Sequence, residues 1–146
     1  MTTLDCRLSS DAVCGLGNIS YRQLDYWLRS GILPPPRVPA RGCGTHRRFG
    51  FLDIVRVRLV AALRRQGVSL QAIRKALDIL KAEWRIRDPL TTGHLLALDG
   101  RVCLDTDPET LWDLLARQSL ARRIVVIDVG ELARDTAEKV QAYAIV

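Results

Sequence analysis

The chain has 146 residues, 48% of them hydrophobic and 26% charged, with a formal net charge of +6 and an isoelectric point near 9.6. That suits one ordinary domain, or a small domain with a smaller companion, each able to bury a core. No apolar run approaches the roughly 20 residues of a membrane span, and aromatics at 5% are too few for a surface that stacks single-stranded bases.

The charge is unevenly divided. Residues 1–86 hold 15 Lys/Arg against 6 Asp/Glu, whereas residues 87–146 hold 7 against 10. A basic front half of this kind points to a polyanionic partner, and an acidic rear half to another task. The four cysteines, Cys6, Cys14, Cys43 and Cys103, contain no Cys-x-x-Cys pair and follow no secretory signal. The expectation is a cytosolic, nucleoid-associated protein with reduced thiols.

Residues 1–8 read as a loose leader. Ser9 or Ser10 caps a short helix over about 11–16, with Ala12 and Val13 inward and Cys14 as a small buried hydrophobe. Gly17-Asn18 makes a tight turn, where Asn tolerates a left-handed backbone. Ser20 caps a second helix, and Gln23 completes a capping box. Leu24, Trp27 and Leu28 share an apolar face, which leaves Arg22 and Arg29 pointing away from it. Gly31 suits the residue after the helix, and Pro34, Pro35 and Pro36 prevent its resumption. Helix, short turn, helix is a helix-turn-helix arrangement.

A basic loop follows, over residues 34–49. No acid occurs from residue 26 to residue 52, while Arg29, Arg37, Arg41, Arg47 and Arg48 all fall there. Gly42 and Gly44 allow a reversal, and Val38 is expected to pair with Phe49, which makes the loop a wing. Phe51 to about Gln66 reads as an amphipathic helix with Leu52, Val55, Leu59, Ala62 and Leu63 inward. Gly67-Val68 breaks it. Ser69 caps a fourth helix whose stripe is Leu70, Ile73, Leu77, Leu80 and Trp84, and two such stripes imply an antiparallel pair.

Composition shifts near Arg87, and Asp88-Pro89 ends the helical region. Residues 94–98 and 101–104 flank Asp99-Gly100, a two-residue hairpin signal. Asp107-Pro108-Glu109 opens a helix reaching about Gln118 through Leu111, Leu114 and Leu115. Ile124 to Ile127 is a buried strand by its β-branched run. Glu131 to about Tyr143 is a last helix, inward through Leu132, Thr136, Val140 and Tyr143. The expected fold is mainly α with small β elements. Residues 1–86 form a winged helix-turn-helix of four helices plus a wing, and residues 87–146 a small α+β module.

Ser20-Tyr21-Arg22-Gln23-Leu24-Asp25-Tyr26-Trp27 followed by Ser30-Gly31-Ile32-Leu33-Pro34-Pro35 resembles the helix-turn-helix of MerR-type bacterial transcription regulators. Arg47-Arg48-Phe49 resembles the end of their first wing. Phe51-Leu52-Asp53-Ile54-Val55, and Leu63 to Ile73, are similar to their third and fourth helices. The match covers about residues 9–84. The rear half resembles a sub-group with a short C-terminal module, to which some actinobacterial regulators linked to cell-division genes belong. Residues 85–90 break helix where many members carry a long dimerising coiled coil.

The resemblance implies a helix from Ser20 in the major groove and a wing on the flanking backbone. Arg22 would reach base edges or phosphate. Tyr21 and Tyr26 stand where members contact phosphate or brace the helix. Arg47 and Arg48 occupy wing positions suited to phosphate or the minor groove. With Ser20, Gln23 and the wing cation Arg41, these make up the candidate DNA-contacting set.

Metal sensing would need clustered thiolates or imidazoles. Cys43 and His46 offer two candidate ligands, and a redox role for Cys43 would draw on its cationic neighbours; a solvated loop is the simpler reading of both. No catalytic constellation or cofactor motif is present, so no enzyme activity and no cofactor are expected. The leading function is a sequence-specific double-stranded DNA-binding transcriptional regulator acting as a homodimer. The alternative is an antitoxin-like or phage-type DNA-binding protein whose residues 87–146 bind another protein, with RNA polymerase among the partners considered.

Overall fold

A computed structural model describes residues 7–36, 47–74, 94–98, 101–105 and 124–145. Two compact units divide the chain: residues 1–61 with 133–146, and residues 62–132. The expected domain break at 86/87 lies outside the described residues, as do Trp84, Trp112, Asp99-Gly100 and the helix expected from Asp107.

The first unit opens with α1, Ser10–Gly17. Ser9 is its N-cap, and the side chain accepts from the Ala12 N–H at 3.3 Å. Asn18 ends it with φ 53°, and the Ile19 N–H reaches back to the Cys14 carbonyl at 3.0 Å. That six-to-one bond, with a left-handed residue before it, is a Schellman ending made by Asn where Gly is usual. α2, Tyr21–Arg29, follows after two residues. Its capping box is complete: the Gln23 N–H donates to Ser20 Oγ at 3.1 Å, and the Ser20 N–H donates to Gln23 Oε1 at 3.0 Å. Gly31, at φ 79°, closes the helix. Val13, Leu24 and Trp27 are buried as their spacing requires, while Leu28 is half-buried.

α3, Phe51–Arg65, starts where the Gly50 N–H donates to Asp53 Oδ2 at 2.9 Å. Gly67 at φ 86° ends it, with Val68 N–H on the Leu63 carbonyl and Gly67 N–H on the Arg64 carbonyl. The expected single stripe is corrected here. Phe51, Ile54, Val55, Val57, Leu59, Val60 and Ala61 are all buried, and Leu52 is 38% exposed. A helix apolar on nearly every side is a central helix, not a surface one.

Two neighbours account for this within the first unit. At one side, a Cβ on Gly17 would stand 3.2 Å from Val57 Cγ1, so α1 ends directly against α3. At another, Ala133 joins Phe51 and Val55 in a buried cluster edged by Ala137.

Ala133 belongs to α4, Val129–Ile145. The helix begins two residues before the expected Glu131 because Asp128 Oδ1 accepts from the Glu131 N–H at 3.0 Å. Its inward stripe is Val129, Ala133, Thr136 and Val140; Leu132 is only half-buried and Tyr143 is exposed, against expectation. Ala133 sets the phase, since its small side chain lets α4 approach Phe51 and Val55. The approach is locked by Arg58, whose Nη1 donates to Thr136 Oγ1 at 2.6 Å and Nη2 to Asp135 Oδ2 at 2.8 Å.

The N-terminal leader is also corrected at its end. Leu8 and Phe49 exchange both backbone hydrogen bonds, at 3.0 and 2.9 Å. Phe49 thus spends its own N–H and carbonyl on Leu8; Val38, its expected partner, lies outside the described residues.

In the second unit Ser69 caps a helix described over 70–74, accepting from the Ala72 N–H at 3.1 Å, and Ile73 is buried. Three strands follow: β1 His94–Leu98, β2 Arg101–Asp105 and β3 Ile124–Asp128. They form one antiparallel sheet in the order β2-β1-β3, with Leu98 opposite both Arg101 and Ile124. Among the described residues no helix is long and apolar enough to cross a membrane.

Two outcomes follow from these contacts. Ser20→Ala removes the donor–acceptor exchange that starts α2 and should lower stability by about 1 kcal/mol, read from the urea midpoint. The hydrogen bond from Arg58 holds the Asp135 carboxyl below its ordinary value, with partial burial opposing and the charges of Arg58 and Lys139 adding to the effect. A depressed folded-state value makes the pair stabilising above the unfolded carboxylate value of about 4, with the contribution lost as pH falls through the folded one. Asp135→Asn should therefore lower the urea midpoint at pH 7, and the gap from the natural protein should close as acid protonates Asp135.

Candidate nucleic-acid interface

The capping box orients α2 so that Leu24 and Trp27 enter the core and the opposite face meets water. Tyr21 and Tyr26 are each 56% exposed, and Arg22 and Gln23 are exposed beside them. Arg22, Tyr26 and Arg29 stand at i, i+4 and i+7, so they form one row along the helix. The Ser30 hydroxyl donates to the Tyr26 carbonyl at 2.7 Å and satisfies one of the last free acceptors of the helix. The row therefore offers cationic and hydroxyl donors from a firmly ended helix, which is the chemistry that contacts phosphate and base edges.

Below that row lies Asp25, which sequence reasoning left out of the site. Both its oxygens are engaged. Oδ1 accepts from Arg47 Nη2 at 2.9 Å, and Oδ2 pairs with Arg29 Nε at 2.9 Å. The side chains of Arg47 and Asp25 are only 19% and 21% exposed, whereas that of Arg29 is 77% exposed. Arg47 thus lies against α2 and ties the returning end of the basic loop to the middle of that helix. Arg48, the next residue, is exposed, and neither Arg48 nor Arg22 makes an ion pair among the described residues. Arg41, with Arg37, Cys43 and His46, lies outside the described residues.

One signal could have found Asp25. It is the last acid before the acid-free run from 26 to 52, and it stands four residues before Arg29, a spacing that favours an ion pair. Arg47 as its second partner, 22 residues on, has no such local signal.

The other candidate chemistry is quiet. Among the described residues there is no group of three or more His, Cys, Asp and Glu side chains able to hold a metal ion. Cys14 is half-buried with its thiol pushed up by burial and by the nearby Asp11 carboxylate, the opposite of an activated thiolate. A shallow cleft lined by Leu28, Leu33, Pro34, Phe49 and Val57 is apolar, and its Asp53 and Arg56 pair at 3.2 Å.

The family described as MerR HTH family regulatory protein matches residues 8–79. The HTH-type transcriptional regulator Rv1830 of Mycobacterium tuberculosis (strain ATCC 25618 / H37Rv) is 40% identical over 70 residues, 48% of this chain and 31% of the relative. The HTH-type transcriptional regulator Mb1861 of Mycobacterium bovis (strain ATCC BAA-935 / AF2122/97) gives the same figures. The match thus spans about a third of the length of these curated relatives. The two capped helices, the basic segment that returns onto α2 and the central α3 all fall within the matched residues: residues 8–79 are a helix-turn-helix domain of the MerR family.

Proposed function

We propose that this chain is a double-stranded DNA-binding transcriptional regulator that reads sequence with α2 in the major groove and grips flanking phosphates with the 34–49 segment as a wing. The observation that carries this reading is the exposed row of Arg22, Tyr26 and Arg29 on a helix whose other face is locked into the core. The domain family supports it, since MerR-type regulators bind double-stranded DNA. Arg22 is the base reader. Tyr21, Tyr26 and Arg48 hold phosphate. Ser20 and Gln23 place the helix N-terminus, whose backbone N–H groups favour an anion. The protein works on the chromosome, and so in the cytoplasm.

One such helix and wing cover too few base pairs for useful discrimination, and a two-fold dimer doubles them at no cost in new sequence. The operator is then a two-fold related site. A dimer making about 6–10 phosphate contacts loses affinity with salt at a log–log slope of about −0.9 per contact.

The test starts from sites selected out of a random duplex library. Selected sites should share a symmetric motif; absence of any enriched sequence would contradict base reading. Arg48→Ala should weaken selected and random duplexes alike and reduce the salt slope by about 0.9. Arg22→Ala should cost about 1–3 kcal/mol at one or two base pairs of the motif and leave random duplex nearly untouched.

A further inference from the structure

Asp25 is an acid on the helix proposed to face a polyanion. An unpaired carboxylate there would repel phosphate, so its presence calls for a local purpose. Its two oxygens hold two arginines from different parts of the chain, Arg29 one turn on and Arg47 at the returning end of the basic segment. An exposed ion pair would contribute little. This one is four-fifths shielded at both Asp25 and Arg47, where salt screens weakly and an abandoned partner is costly. Two residues on from Arg47, the backbone of Phe49 is tied to Leu8 by two hydrogen bonds. The segment is thus pinned by a side chain to α2 and by its backbone to the strand bridge.

We infer that Asp25 is a positioning residue for DNA recognition: it clamps Arg47, so that α2 and the basic segment meet the duplex at one fixed spacing. Arg47 acts inside the protein and not on phosphate. The phosphate-binding cations are those left outside the clamp. This inference rests on the proposed DNA-binding reading and goes beyond it by dividing the arginines into two roles.

The experiment is a double-mutant cycle in the full-length chain, measured on a selected site and on random duplex over a range of salt, with circular dichroism to verify folding. Asp25→Asn keeps shape and removes charge. It should weaken the selected site about tenfold, within the range of coupled neighbouring residues. Random duplex should be held as well as before or better, because Arg29 and Arg47 are released. Arg47→Met should show the same selective loss with the salt slope unchanged, and it tests the clamp independently if Asp25→Asn does not fold. The double variant should be no worse than either single one.

Three results would overturn the clamp: Asp25→Asn binding the selected site as the natural protein does, losses that multiply in the double variant, or Arg47→Met weakening both duplexes equally with a slope shallower by about 0.9, the mark of a lost phosphate contact. If the natural protein binds no duplex at all, the DNA-binding reading fails instead, which keeps the two failures distinct.

Discussion

The first unit is arranged around the need to cover α3. Phe51 to Ala61 is buried on nearly every side, so no single neighbour can shelter it. The end of α1 closes against Val57, and Ala133 of α4 closes against Phe51 and Val55. Covering this helix fixes the α1–α2 pair, and with it the outward face of α2. The last helix of the chain thereby shares a core with the helix-turn-helix, although 67 residues separate Ala133 from the end of the segment it joins, Gln66. Its docking is sealed by Arg58, whose two nitrogens meet Thr136 and Asp135. Burying a guanidinium in this way is stable only while both partners remain.

Electrostatics then sorts the arginines of the exposed face. The acid-free run from 26 to 52 makes all of them look equivalent. The structure separates them by burial and by partner. Arg47 is spent on Asp25, Arg29 is tethered but mostly in water, and Arg22 and Arg48 stand exposed. A row of cations with a rigid spacing recognises a duplex differently from a loose basic patch. The first can select a register along the grooves, while the second can only attract.

Much of this was legible in the residues because it is local. Ser20 with Gln23, Asn18 before the second helix, Gly31 after it and Gly67 after α3 each act within a few positions, and each is where its chemistry demanded. The site helix and its exposed face followed from Leu24 and Trp27. What escaped is long-range. The stripe assigned to α3 put Leu52 inward, because periodicity assumes one covered face, and α3 has several. The phase of α4 was set by Ala133, a residue too small to attract notice, so Leu132 and Tyr143 were placed too deep. Leu8 was read as part of a leader, yet it pairs with Phe49 across 41 positions. Arg47 was read by its charge alone; its acid partner lies 22 residues earlier, and nothing in the local pattern joins them.

The central claim is that the outward face of α2, and no other surface of this unit, meets the duplex. The direct measurement is site-specific photo-crosslinking of the folded full-length protein to a bound duplex. One probe replaces Tyr26 on α2 and another replaces the exposed acid Glu138 on α4. The account predicts a DNA crosslink from position 26 that a specific competitor duplex abolishes, and none from position 138. Crosslinking from position 138 with none from position 26 would contradict it.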